Sequence, residues 1–304
     1  MTVTPVAPLV DDRLEIILED EPAPSAVPTR RAAAPGTVRS AAAIFATIVF
    51  AFLAYALLGS GITASREQTV RDRSLRAALA TGDAPIGGRI APGTPIAILT
   101  VPALGLRQVV AEGTTASVTA GGVGHFRATP MPGQAGNSVL LARRTTFGAP
   151  FRSIDRLRKG DEISVVTGQG RARYRVTGIE EAAADDASVL ATTSRRGELT
   201  LLTADPPIRA TRYLVARARL VSDPVASTPH VRRVEAAETG LVGESSQLGR
   251  LLLGLVVLAG AAVAGTWLAI RWRPWSAYLV SVPVLLAATW WVFEHAATLL
   301  PAAL

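Results

Sequence analysis

The sequence predicts an all-β domain, a sandwich or a barrel, attached to three membrane-spanning helices. Of the 304 residues, 49% are apolar and the mean hydropathy is +0.32, high for a purely soluble chain. The apolar residues collect in three long runs, 41–64, 251–270 and 277–293, against the roughly 20 residues that cross about 30 Å of hydrocarbon. Between the first two runs the pattern changes to short apolar stretches broken by turn residues, the mark of strands in a sandwich or barrel.

Residues 1–40 carry Asp11, Asp12, Glu19, Asp20, Glu21 and several prolines with little apolar periodicity, and are expected to be a disordered cytosolic tail. The run 41–64 reads as a retained anchor rather than a cleaved signal, because it exceeds the usual apolar core of about 7 to 15 residues and no A-x-A site follows. Gly59, Ser60 and Gly61 within it permit close helix contacts. Residues 65–94 are expected to be a stalk and linker: Val70, Leu75, Ala78 and Leu79 fall near one side of a helix, and a Gly- and Pro-rich stretch follows.

The domain spans 95–221, with strands expected at 96–101, 106–111, 138–142, 162–167, 171–179, 198–203 and 213–221. A polar linker, 222–250, leads to a two-span hairpin, 251–297, and a tail, 298–304. All five tryptophans (Trp267, Trp272, Trp275, Trp290 and Trp291) lie in that hairpin, where amphipathic rings suit the headgroup level. Arginines flank the first span on both sides, so the positive-inside count there is undecided. Arg271 and Arg273 favour a cytosolic hairpin turn, whereas Arg232, Arg233 and Arg250 argue the other way.

The net charge of +7 and pI near 10.8 do not indicate nucleic-acid binding: the basic residues are scattered, Lys159 is the only lysine, and no aromatic-interleaved stripe is present. The chain has no cysteine, which excludes disulfides, thiolate metal sites and thiol chemistry on its own side chains. Glu180, Glu181, Asp185 and Asp186 form an acidic cluster without EF-hand spacing and read as a solvated loop, so neither a metal nor a cofactor is expected.

Two segments carry a resemblance. Residues 121–151, GGVGHFRATPMPGQAGNSVLLARRTTFGAPF, and 198–220, ELTLLTADPPIRATRYLVARARL, resemble the extracytoplasmic sortases, particularly class E. In that family the first segment ends in a GHRTTYGAPF-like run, and the second holds a TC-x-P turn followed by an Arg-led strand. The resemblance, over about 91–221, implies a closed β-barrel with short helices such as 150–157. It also implies a domain outside the cytoplasm, at a Gram-positive cell envelope, with the N-terminus inside.

At the histidine slot stands Arg143, and at the cysteine slot stands Ala204, between Thr203 and Asp205-Pro206. Sortase chemistry needs a thiolate nucleophile, a proton donor and a positive group for the oxyanion. Alanine offers no heteroatom, and a guanidinium holds its proton near neutral pH. Loss of such groups costs on the order of 10⁴ to 10⁶ in rate. The arginine slot matches Arg212, eight residues after Ala204; Arg209 is the rival, but an odd shift turns it to the other strand face. The plain alternative for Arg212 is a solvated strand-end arginine. Arg143 and Asp205 could pair across the site, or either could face water. None of His125, His230 and His295 lies in a triad motif, and Thr203 points to the face opposite Ala204.

The expectation is therefore a pseudo-sortase: not an enzyme, but a multi-pass membrane protein with an extracytoplasmic domain. Thr145, Thr146, Phe147, Asp205, Pro206 and Arg212 would line a groove for a sorting-signal-like peptide, or the chain would partner an active sortase. The alternatives are a cysteine-independent hydrolase or transferase on the same fold, and a structural envelope protein.

Overall fold

Short apolar runs between turns set the strands, and the strands close on themselves. The computed structural model describes residues 46–183, 186, 189, 197–207, 211–228, 238, 247–271 and 274–303. The expected cytosolic tail, Arg209, His230, Arg232, Arg233, Asp185, Trp272 and Arg273 lie outside the described residues.

Among the described residues, eight strands run β1 (Pro95–Val101), β2 (Leu106–Glu112), β3 (Val123–His125), β4 (Asn137–Leu141), β5 (Glu162–Thr167), β6 (Gly170–Ala183), β7 (Glu198–Asp205) and β8 (Arg212–Leu220). They form a closed barrel in the order β1-β2-β3-β4-β7-β8-β6-β5, antiparallel except at the β2/β3 and β4/β7 pairs. Closure removes the unpaired edges that an open sheet would expose, and it decides for the barrel between the two architectures that periodicity allowed. Strand β3 escapes sequence periodicity because three residues give no repeat to read.

Leu99, Leu140, Ile163, Tyr174, Leu199 and Leu201 help to fill the interior. With a side-chain period of two, the residues between them face outward. Leu202 and Ala204 of β7, Tyr213 and Val215 of β8, and Val139 and Leu141 of β4 thus form a second apolar cluster on the outside wall. That wall positions the site. A short helix, α2 (Ala116–Ala120), begins at Thr115, whose hydroxyl accepts from the Val118 N–H at 3.5 Å, and contributes Ala116 to the same cluster.

Helix α1 spans Ala46–Thr81 with one π-helical turn, Tyr55–Gly59. The expected stalk does not stand clear of the domain. Gln68 clamps β2, its amide donating to the Val109 carbonyl at 3.1 Å and the Gly121 carbonyl at 2.7 Å while its oxygen accepts from the Val109 N–H at 2.7 Å. Leu75, with no exposure, packs with Ile98 and Val109. A helix with one apolar side gains more by burying that side on the barrel than by holding it in water.

Helices α3 (Leu248–Arg271) and α4 (Pro274–Ala297) pack together, and α4 also meets α1 through Tyr55–Trp290 and Phe52–Phe293 ring contacts at 4.9 and 5.5 Å. A Cβ at Gly59 would lie 3.0 Å from the Tyr55 ring, a tight approach, whereas its 3.5 Å to the Trp290 ring would be ordinary contact. All three helices are long and apolar enough to cross a membrane. Leu252, Val256 and Val263 of α3 stay uncovered, as suits contact with lipid.

Candidate functional site

Ala204 ends the outward row of β7, opposite Tyr213 of β8, and is fully buried. Next to it lies the loop that follows β4. There Arg143, the largest fully buried side chain of the barrel, donates to the Thr146 hydroxyl at 3.0 Å and the Ala116 carbonyl at 3.0 Å, and its guanidinium lies 4.7 Å over the Phe147 ring. Burial pushes it down from the ordinary 12.5 to about 9, which still leaves it protonated at neutral pH. It forms no ion pair among the described residues, and its Nε finds no partner there. A side chain enclosed in this way can hold carbonyls but cannot relay a proton at neutral pH.

The pairing expected between Arg143 and Asp205 is not the one formed. Asp205 pairs with Arg144 at 2.6 Å, and Arg144 Nη1 also donates to the Ala204 carbonyl at 3.0 Å. Successive residues leave an extended segment on opposite sides, so only one of the two arginines can reach β7's end. Sequence reasoning misses Arg144, although its place beside Arg143 is the available signal.

Arg212 lies opposite Asp205 in the β7/β8 register, half exposed, and pairs with Glu181 at 2.7 Å and Asp205 at 3.6 Å. It therefore stands on the outer rim with its guanidinium engaged by carboxylates. Thr146 is buried under Arg143, Thr145 donates to the Pro207 carbonyl at 3.4 Å, and Pro206 is exposed in the β7–β8 turn. Glu180 pairs with Arg217, so this part of the acidic cluster serves the β6/β8 rim.

Phe147 sits elsewhere than in an open groove. Phe147, Gly148 and Ala149 take φ values of +51, +77 and +45°, a left-handed run that costs about 1–2 kcal/mol at each non-glycine. Something must hold it. The Phe147 N–H donates to Ser60 Oγ of α1 at 2.8 Å, and the ring is buried with Tyr55 and Ala64 of α1, Ala120 of α2 and Ala297 of α4. Ser60 directly follows the π-helical turn, a feature frequent at functional sites. Helices α1 and α4 thus fix the loop that carries Arg143 and Arg144.

His125 is structural. Its Nδ1 lies 2.9 Å from Glu112 Oε2 and its Nε2 lies 3.0 Å from the Pro130 carbonyl oxygen, all buried between β2 and β3.

The wall around Ala204 is covered by Pro301–Ala303, the segment that follows α4. The Ala303 carbonyl accepts from the Arg144 N–H at 3.2 Å and the Ala204 N–H at 3.4 Å, with Thr203 Oγ1 at 3.5 Å, and the Pro301 carbonyl accepts from Arg143 Nη1 at 3.4 Å. Two backbone N–H groups converging on one carbonyl form an arrangement that binds and polarises it.

Residues 99–221 match the sortase domain. Sortase D of Bacillus subtilis (strain 168) is 30% identical over 114 residues, 38% of this chain and 56% of that protein. Sortase SrtE1 of Streptomyces coelicolor is 36% identical over 99 residues, 30% of this chain and 28% of that protein. The chain thus spans about half, or less, of these curated relatives. The solved sortase E from Streptomyces avermitilis is 32% identical, covering 47% of this chain and 100% of that one, with a TM-score of 0.40. These matches correct the expectation that the chain is not an enzyme, since the domain it carries is that of an enzyme family of cysteine transpeptidases. Two empty slots describe what one site lacks, whereas the domain match concerns the whole barrel. What stands is narrower: no thiol exists in the chain to form a thioacyl intermediate. The β-barrel of this chain, residues 99–221, belongs to the sortase family.

Proposed function

We propose that the chain is a multi-pass membrane protein that holds an extended, sorting-signal-like peptide against the outer wall of β7, on the extracytoplasmic side of a Gram-positive envelope. Any thiol step on that peptide falls to an active sortase partner. The observation that carries this reading is the pair of N–H groups, from Arg144 and Ala204, aimed at one peptide carbonyl beside the small Ala204 side chain. Arg143 adds a buried cation for a second carbonyl. The geometry supplies recognition of a main chain together with room for small side chains, which is what peptide holding needs.

The test uses the full chain in lipid nanodiscs and, in parallel, a variant ending at Thr298, both exposed to sorting-signal-like peptides bearing a photo-crosslinker. Cross-links are expected at residues 143–146 and 203–206. A saturating panel that labels neither protein there would refute the reading.

One observation favours a second reading, a cysteine-independent acyl transfer or hydrolysis. The same two N–H groups would polarise a bound carbonyl for attack by an external nucleophile. Mass spectrometry of the incubated peptides separates the two, because holding leaves the peptide intact.

A further inference from the structure

The segment after α4 is built into the barrel rather than left in solvent. The Thr298 hydroxyl donates to the His295 carbonyl at 2.8 Å, and the N–H groups of Leu299 and Leu300 donate to the carbonyls of Ala296 and Ala297 at 3.1 and 3.3 Å, turning the chain off the helix. Ala302 and Ala303 then have no exposure at all. They share one cluster with Ala116 and Ala204, small side chains meeting small side chains. Buried backbone oxygens need donors, and the Pro301 and Ala303 carbonyls both have them in the barrel. Crossing number agrees with this contact: if α1 carries the barrel to one face of a membrane, α3 leaves that face and α4 returns to it.

We propose that Pro301–Ala303 is a resident ligand of the peptide seat formed by Ala116, Arg143, Arg144, Thr203 and Ala204, exchanging with peptides of the same form supplied in trans. The proposal rests on the peptide-holding reading above and adds its regulation and its selectivity. The complete burial of Ala302 and Ala303 among Ala116, Ala204 and their neighbours restricts an incoming peptide to small residues at two consecutive positions after a proline. A tethered ligand acts at a high effective concentration, on the order of millimolar for short tethers. The seat is therefore closed to weak ligands until the segment is displaced. Its direct continuation from α4 ties that displacement to the position of the membrane helices.

The test compares three proteins in nanodiscs: the full chain, the variant ending at Thr298, and full-length Ala302→Asp, which places a charge where no water reaches. Amide exchange at Arg144 and Ala204 is read by NMR, and the probe is the peptide Leu-Leu-Pro-Ala-Ala-Leu capped at both ends. Both variants should exchange at least about 10-fold faster at those two amides, with Leu201 and Val215 unchanged as folding controls. The capped peptide should restore protection to the shortened chain and bind the full chain at least about 10-fold more weakly. Unchanged exchange in both variants, or equal peptide affinity for full and shortened chains, overturns the proposal. If the capped peptide restores protection while no sorting-signal-like peptide cross-links to the shortened chain, the resident-ligand proposal stands and the broader peptide-holding reading fails.

Discussion

Removing the Asp205 carboxylate tests which arginine reaches β7. Arg144 and Asp205 side chains are 11% and 16% exposed and 2.6 Å apart, so Asp205→Ala leaves a mostly buried guanidinium that, among the described residues, keeps the neutral Ala204 carbonyl as its hydrogen-bond partner. Breaking a fully buried pair costs about 3–5 kcal/mol. Here the residual exposure lowers the loss to near 2–3 kcal/mol, a range that includes the weaker, half-exposed contact of Asp205 with Arg212 at 3.6 Å, which is lost with the carboxylate. A double-mutant cycle of Arg144→Ala with Asp205→Ala should show coupling of about 2 kcal/mol, and one of Arg143→Met with Asp205→Ala should stay within about 0.5 kcal/mol. The assay is urea unfolding of the full chain in micelles, followed by far-UV circular dichroism and barrel amide exchange. Tryptophan fluorescence is unsuitable because all five tryptophans lie between residues 267 and 291, in the hairpin. Stronger coupling to Arg143 than to Arg144 would refute the geometry.

Leu75→Ala should destabilise by about 3 kcal/mol through the void it leaves between α1 and the barrel, with a loss below about 1 kcal/mol in the same unfolding assay counting against helix docking. Tyr174→Phe removes the hydroxyl that accepts from the Gly133 N–H at 2.6 Å and should cost about 1–2 kcal/mol, read as a lower urea midpoint. Burial pushes Tyr213 up from 10.0 to about 12. The folded state thus keeps a proton that the unfolded state sheds, so this residue's contribution to stability is full below pH 10 and disappears as pH rises toward 12, a change of about 3 kcal/mol. Tyr213→Phe should flatten that part of the stability curve, and parallel curves would count against the burial. Ala204→Cys gives the chain its single thiol, and its alkylation by maleimide should be at least about 10-fold slower in the full chain than in the variant ending at Thr298.

Much of the barrel is legible in the sequence. Short apolar runs broken by turn residues mark β1, β2, β4, β5, β6, β7 and β8 to within a few residues, and the three apolar runs mark the helices. The absence of cysteine is enough by itself to rule out a thiolate. What the sequence does not supply is which surface covers each apolar face. Residues 65–80 read as a stalk, yet Gln68 and Leu75 are docked on the barrel. Phe147 reads as a groove residue, yet Ser60 and Tyr55 of α1 hold it. Pro301 to Ala303 read as a tail, yet they seal the wall at Ala204.

The chain alone determined most of its strands, its long apolar helices and its missing thiol, because those follow from local apolar pattern and residue chemistry. Only the tertiary structure decided that Arg144 rather than Arg143 meets Asp205, and that residues 301–303 reach a site about a hundred positions away. The physical reason is that side-chain period specifies the direction a residue faces, while the partner it meets is set by how distant segments approach when the barrel closes.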